Sequence, residues 1–197
     1  MPNTNRDPIK IELLKNALTA IADEMAVTMV RTARSLPIKE ALDFSTGLLN
    51  ADGALIAQGL CLPLHMGSFP PTMSSILADY KDDVRPGDIF ATNDPYLGGG
   101  THLPDIYIFV PIFVGDTLIG FAATIGHHTD IGGRVAGGNA CDNTEIYQEG
   151  VRIPPLKIGK EGELDEIFLK LMRANVRVPQ KYSETLWLAS QHAVAVR

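Results

Sequence analysis

Residues 93–133 read NDPYLGGGTHLPDIYIFVPIFVGDTLIGFAATIGHHTDIGG, and the fold turns on how this stretch is laid out. Two apolar runs, 106–114 and 117–125, are separated by Gly115 and Asp116. A Gly-Asp pair between two such runs signals a β-hairpin. The polar flanks carry the chemistry: His102 and Asp105 precede the first run, and His127, His128 and Asp130 follow the second. Strict antiparallel pairing about the turn sets Asp105 opposite Gly126 and Pro104 opposite His127, so that both flanks meet at one end of a sheet. Alternation then puts Asp105 on the face of His128. A bulge at Gly126 would move it to the face of His127, and strand parity alone does not choose. Two imidazoles and a carboxylate converging there would leave coordination positions open. That donor set belongs to catalytic divalent sites more than to structural ones, and it suits zinc, manganese or ferrous iron.

Outward from the hairpin, Asp7 and Pro8 form an N-cap followed by proline at the first helical position. Helical spacing of Leu14, Leu18, Ile21, Met25 and Val30 then predicts a long helix over 9–34 with a broad apolar face, Met25 and Met29 being core residues. Ser35, Leu36 and Pro37 stop it. The turn signal at 50–53 between two short runs predicts a second hairpin over 43–59, which Asp43 would bracket as a buried polar residue. Residues 61–71 read as a proline-rich loop carrying His65, followed by a short helix over 72–81, a turn at 85–88 and a strand over 89–92. Residues 132–155 form a long Gly- and Pro-rich passage of the kind that is functional or packed against a partner. Helical spacing returns over 164–175 and 183–196. The sequence ends inside the last pattern, so we expect a single domain over 1–197 that forms the N-terminal portion of something longer. The fold class expected is α+β, a mixed or antiparallel sheet of hairpins with a long N-terminal helix and C-terminal helices.

Composition bounds the partners. The 197 residues carry a net charge of −6, which argues against nucleic acid or anionic lipid as the main partner. No apolar run approaches the ~20 residues of a membrane span, and no signal peptide opens the chain, so a cytoplasmic protein is expected. Cys61 and Cys141 are read as reduced, mostly buried thiols, and nothing places a base beside Cys141. Gly98, Gly99 and Gly100 either let backbone amides approach an anion or permit a tight bend. Asp94, within Asn93-Asp94-Pro95, has a turn-forming or a direct role open to it, and so has His65 in its loop. No GxxxxGK[ST] and no strand-linked GxGxxG is present, so the chain shows no nucleotide cradle of its own.

Taken together, the blocks Asp43-Phe44-Ser45, Pro63-Leu64-His65-Met66-Gly67, Arg85-Pro86-Gly87-Asp88, Asn93-Asp94-Pro95-Tyr96, GGTHLPD at 99–105, GHHTDIGG at 126–133, Glu149-Gly150 and Asn175-Val176-Arg177 resemble the hydantoinase B/oxoprolinase family. The resemblance runs in order from about residue 8 to about residue 179. It implies a subunit that works with a hydantoinase A-type ATPase to open cyclic amides or ureas such as hydantoins and 5-oxoproline, the partner using the ATP. A related branch, the acetone and acetophenone carboxylases, carboxylates ketones. There the corresponding subunit holds one divalent metal ion through a His-x-x-Asp pair and a later His, which carry over here as His102, Asp105 and His127. The resemblance thus breaks the tie that parity leaves open. His128, Asp130 and Asp94 become candidates for proton transfer or ligand orientation, and His65, Gly99 and Gly100 for contacts to a small-molecule substrate. Family members are longer, which places the C-terminal part of the subunit outside this chain. The competing readings are a ketone carboxylase subunit on the same scaffold and a non-catalytic interaction fragment.

Overall fold

Asp7 caps the first helix, its Oδ1 accepting the Ile9 amide at 3.0 Å with Pro8 in the opening turn. The computed structural model describes residues 7–59 and 62–179. Helix α1 (Pro8–Thr32) buries Ala22, Met25, Ala26 and Met29, as expected of the two methionines. Leu13 and Leu14 are 64% and 61% exposed, so the apolar face expected along the whole helix is covered only over its second half. Helix α1 ends before Ser35, Leu36 and Pro37, as expected, and these residues then open a second helix that was not foreseen, α2 (Leu36–Ala41). Pro37 falls in the first turn, where no amide is required, and the helix closes on the left-handed Leu42.

The first hairpin forms as expected from β1 (Phe44–Asn50) and β2 (Leu55–Gln58), with the Asn50 side chain accepting the Asp52 and Ala54 amides across the turn. Helix α3 (Phe69–Tyr80) starts earlier than the spacing suggested, because Pro70 and Pro71 are accommodated in its first turn. Strand β3 (Ile89–Thr92) is followed by the central pair, β4 (Asp105–Val114) and β5 (Thr117–His127). A further hairpin, β6 (Leu156–Lys160) and β7 (Glu163–Leu164), was not foreseen; its turn uses Glu161 and Gly162, both at positive φ. Helix α4 (Glu166–Asn175) starts at Asp165, whose side chain accepts the Ile167 and Phe168 amides.

The seven strands form one sheet in the order β2-β1-β5-β4-β3-β6-β7, with every pairing antiparallel. This is the α+β class expected. On one face Phe69, Met73 and Ile76 of α3 pack against Phe90, Tyr107, Phe109, Phe121 and Ile125. On the other, Met25 of α1 and Leu169 and Met172 of α4 join a cluster with Ile106, Ile108, Val110 and Ala122. The long passage over 132–155 contains one short turn of 3₁₀ helix, Ile146–Gln148. Asn93, fully buried, holds it in place: its Nδ2 donates to the Leu103 and Val151 carbonyls at 2.7 and 2.9 Å, and its Oδ1 accepts the Ile153 amide at 2.6 Å.

The central register differs from strict pairing by one residue. Val114 lies opposite Thr117 and Phe113 opposite Leu118, but Ile112 lies opposite Gly120, which leaves Ile119 as an extra residue on β5. From there to the far end each partner is displaced by one, so Asp105 faces His127 and Ile106 faces Gly126. The bulge sits near the turn and not at Gly126. Cys141 is exposed, a correction to the buried thiol expected, because it lies in the surface passage beside the Arg134–Asp142 ion pair. Cys61 and the helix expected over 183–196 lie outside the described residues. No helix among the described residues is long and apolar enough to cross a membrane.

Candidate metal centre

Strands β1, β5 and β4 are neighbours, and their ends carry Asp43, His127 and Asp105 in a row. The His127 amide donates to the Asp43 carbonyl at 3.0 Å, which extends the β1–β5 ladder to the site. Counting back by twos from Tyr107 and Ile125, Asp105 and His127 lie on the face that α3 covers. A turn before β4, closed by the Asp105 amide on the His102 carbonyl at 3.1 Å, brings His102 over Asp105. His65 arrives from the 3₁₀ turn Pro63–His65 that precedes α3.

The resulting distances are short. Asp105 Oδ1 lies 3.1 Å from His102 Nε2 and 3.3 Å from His127 Nδ1. Its Oδ2 lies 3.6 Å from His65 Nε2 and accepts a short hydrogen bond from the Thr101 hydroxyl. Asp43 lies 3.8 Å from His65 Nε2 and 3.7 Å from His127 Nδ1 through its two oxygens. Asp105 is 2% exposed, yet its Oδ1 has no hydrogen-bond partner. Two triads are therefore close enough to hold a cation: His102, Asp105 and His127, and Asp43, His65 and Asp105.

The electrostatics favour an ionised Asp105. Burial alone would raise its carboxyl, but the His102 and His127 imidazoles and the Thr101 hydroxyl hold it well below the usual carboxylate range. For His102, burial pulls the imidazole down and the Asp105 carboxylate more than offsets it, so the net shift is upward. His128, fully buried beside His127, is pushed down to about 4 and stays neutral at neutral pH.

A sequence model of the hydantoinase B/oxoprolinase family matches residues 7–192. The chain belongs to that family. It is 36% identical over 172 residues to the caprolactamase subunit beta of Pseudomonas jessenii, covering 87% of this chain and 29% of that subunit. It is 34% identical over 160 residues to 5-oxoprolinase 1 of Arabidopsis thaliana, covering 81% of this chain and 13% of that enzyme. The crystal structure of the ATP-dependent caprolactamase from Pseudomonas jessenii superposes with a TM-score of 0.87 at 30% identity, over 97% of this chain and 33% of that one. Nucleotide-free acetone carboxylase superposes with a TM-score of 0.89 at 23% identity, over 97% of this chain and 25% of that one, a likeness of fold. The chain thus spans about a third or less of the length of these relatives.

Within this hydantoinase B framework the other expected residues have different surroundings. Asp94 is fully buried; its Oδ1 accepts the Tyr96 and Leu97 amides and its Oδ2 pairs with Arg152 Nε at 2.6 Å. Asp130 accepts the Arg177 amide and guanidinium and the Gly132 amide. Through these hydrogen bonds both residues brace loops. Gly99 is at φ +67°, and a Cβ there would come within 3.1 Å of Pro71, so it meets a backbone requirement. His65 belongs to the cluster itself. Asp43, read from sequence as a bracket, stands with the ligands; its in-phase spacing with Ser45 on β1 was the available signal. A cavity of about 380 Å³ adjoins the cluster through Thr101 and is lined by Tyr96, Ile146 and Glu149 among others. None of its lining residues was named as a site candidate from sequence, although Pro95, Tyr96, Thr101 and Glu149 lie in the blocks that carry the family resemblance.

Proposed function

We propose that this chain is the metal-holding portion of an ATP-dependent hydrolase that opens cyclic amides, working with a hydantoinase A-type ATPase subunit and with the C-terminal part of its own longer subunit. The observation that carries the metal is Asp105 Oδ1, buried and without a hydrogen-bond partner between two imidazole nitrogens. A buried charged oxygen left so is costly unless a cation completes it. Edges of 3.1 and 3.3 Å are those expected of donors about 2.0–2.2 Å from one shared ion. His102, Asp105 and His127 would hold it, as zinc, manganese or ferrous iron. When bound, such an ion supplies Lewis acidity toward a carbonyl or a water.

The chain's own groups prepare that position. The Thr101 hydroxyl fixes the Asp105 carboxylate, and the Ser35 hydroxyl, donating to the His127 carbonyl at 2.8 Å, fixes the end of β5. Glu149 receives the Leu103 amide at 3.2 Å and so ties the cavity wall to the His102 turn. We assign the adjoining cavity to the small ring substrate, its volume being of the order that such ligands need. The caprolactamase and 5-oxoprolinase relatives support a cyclic amide as substrate class, and the subunit naming of the former supports a partner; ATP consumption is assigned to that partner.

The test is chelation of the assembled complex followed by ring-opening assays with 5-oxoproline or caprolactam and ATP. Activity should fall to background and return with added zinc, manganese or iron. Full activity in metal-free protein overturns the metal reading, and ATP turnover that requires bicarbonate and a ketone places the chain in the carboxylase branch.

A further inference from the structure

His65, expected from sequence to contact substrate, stands instead inside the cluster with a side chain only 3% exposed. The Ser45 hydroxyl donates its single hydrogen to the Leu62 carbonyl at 3.1 Å and lies 3.0 Å from His65 Nδ1. Ser45 therefore accepts at that contact, and Nδ1 carries the hydrogen. In the neutral imidazole this leaves the lone pair on Nε2, which faces Asp105 Oδ2 at 3.6 Å and Asp43 Oδ1 at 3.8 Å. Both separations are too long for hydrogen bonds. An imidazolium serving as counter-ion would draw carboxylates to about 2.7–2.9 Å. A lone pair aimed at two anionic oxygens at these distances is repulsive unless a cation lies among the three.

From this juxtaposition we infer that the centre has a second cation position, held by Asp43, His65 and Asp105, with Asp105 as the bridging carboxylate. The inference rests on the metal reading of the first triad. Asp105 turns Oδ1 to His102 and His127 and Oδ2 to His65, so each oxygen serves one position. The Thr101 hydroxyl occupies one lone pair of Oδ2 and leaves the other. Three donors about 2.2 Å from a common centre at tetrahedral angles stand about 3.6 Å apart, close to the separations observed. Carboxylate-bridged pairs of this kind place their ions about 3.5–4 Å apart. The ligand class is a second divalent cation of the borderline-to-hard type that imidazole and carboxylate accept together, manganese or zinc.

The experiment is manganese reconstitution of the intact protein, with elemental analysis and electron paramagnetic resonance read together. The wild type should bind about two equivalents per chain and show the compressed hyperfine spacing of a coupled manganese pair. His65→Ala should retain half the metal and show the spectrum of an isolated ion, its fold checked by circular dichroism; the wild-type spectrum stands as evidence should that variant fail to fold. One equivalent in wild type, unchanged in His65→Ala and spectroscopically isolated, overturns the second position and leaves the first intact. No bound metal in either protein overturns both.

Discussion

Asp94 and Asp105 are both buried carboxylates at the two ends of one glycine-rich loop, and their surroundings are opposite. Asp94 is partnered at both oxygens: two backbone amides share Oδ1 and the Arg152 guanidinium pairs with Oδ2. Asp105 is surrounded by imidazoles and keeps one oxygen without a hydrogen-bond partner. Burying a charge is tolerable when its partners come with it, and expensive otherwise. The first residue therefore reads as architecture, and the second as a position kept for something the chain does not itself provide.

Three variants and one pH series break or sharpen that contrast. Deleting Ile119 should leave the site in place: the bulge disappears, but Ile112 stays opposite Gly120 and Asp105 stays opposite His127. Metal binding should persist while circular dichroism reports a folded sheet; its loss would show that Ile119 does more than offset the register. Asp105→Asn should weaken metal binding at least about 100-fold, beyond what an orienting neighbour is worth, as read by chelator competition. Asp94→Ala should do the reverse, costing about 3 kcal/mol in denaturant unfolding through lost charge-assisted hydrogen bonds with metal affinity retained. Comparable losses of metal affinity in the two aspartate variants would dissolve the distinction.

The smallest effect is on the acid limb of stability. Burial by itself would raise the Asp94 carboxyl, but Arg152 and the turn amides outweigh it and hold it below its ordinary value of 3.8. A carboxyl depressed in the folded state contributes stability that is fully present above that ordinary value and lost as pH falls through the folded one. The stability gap between wild type and Asp94→Ala should thus be flat at neutral pH and close only in acid, measured by unfolding at a series of pH values.

The local signals that were legible are those confined to a few residues. Asp7-Pro8 marked α1, the turn signal at 50–53 marked the first hairpin, and Gly115-Asp116 marked the central one. Each is a backbone preference that the neighbouring residues alone enforce. The β6–β7 hairpin went unread because its Glu161-Gly162 turn lacks the usual Asn or Asp, although Gly162 is at positive φ. Helix α2 went unread because Pro37 stops one helix and suits the opening of the next equally well. The apolar face of α1 was overextended because periodicity reports an apolar stripe without saying how much of it is covered.

For the site, the sequence by itself determined the ingredients: a hairpin with His102 and Asp105 at one root and His127 at the other, in blocks specific enough to mark the family. What only the tertiary structure decided is which of them meet, and with whom. The parity of a strand is known only up to one unseen insertion, and Ile119, at the far end of the hairpin, is that insertion. Asp43 joins through the β1–β5 ladder, with only its in-phase spacing to Ser45 as a signal, and His65 joins through the Ser45 hydroxyl, a contact with no sequence period. Pattern fixes faces along one strand, whereas convergence at the end of three depends on the ladder that joins them.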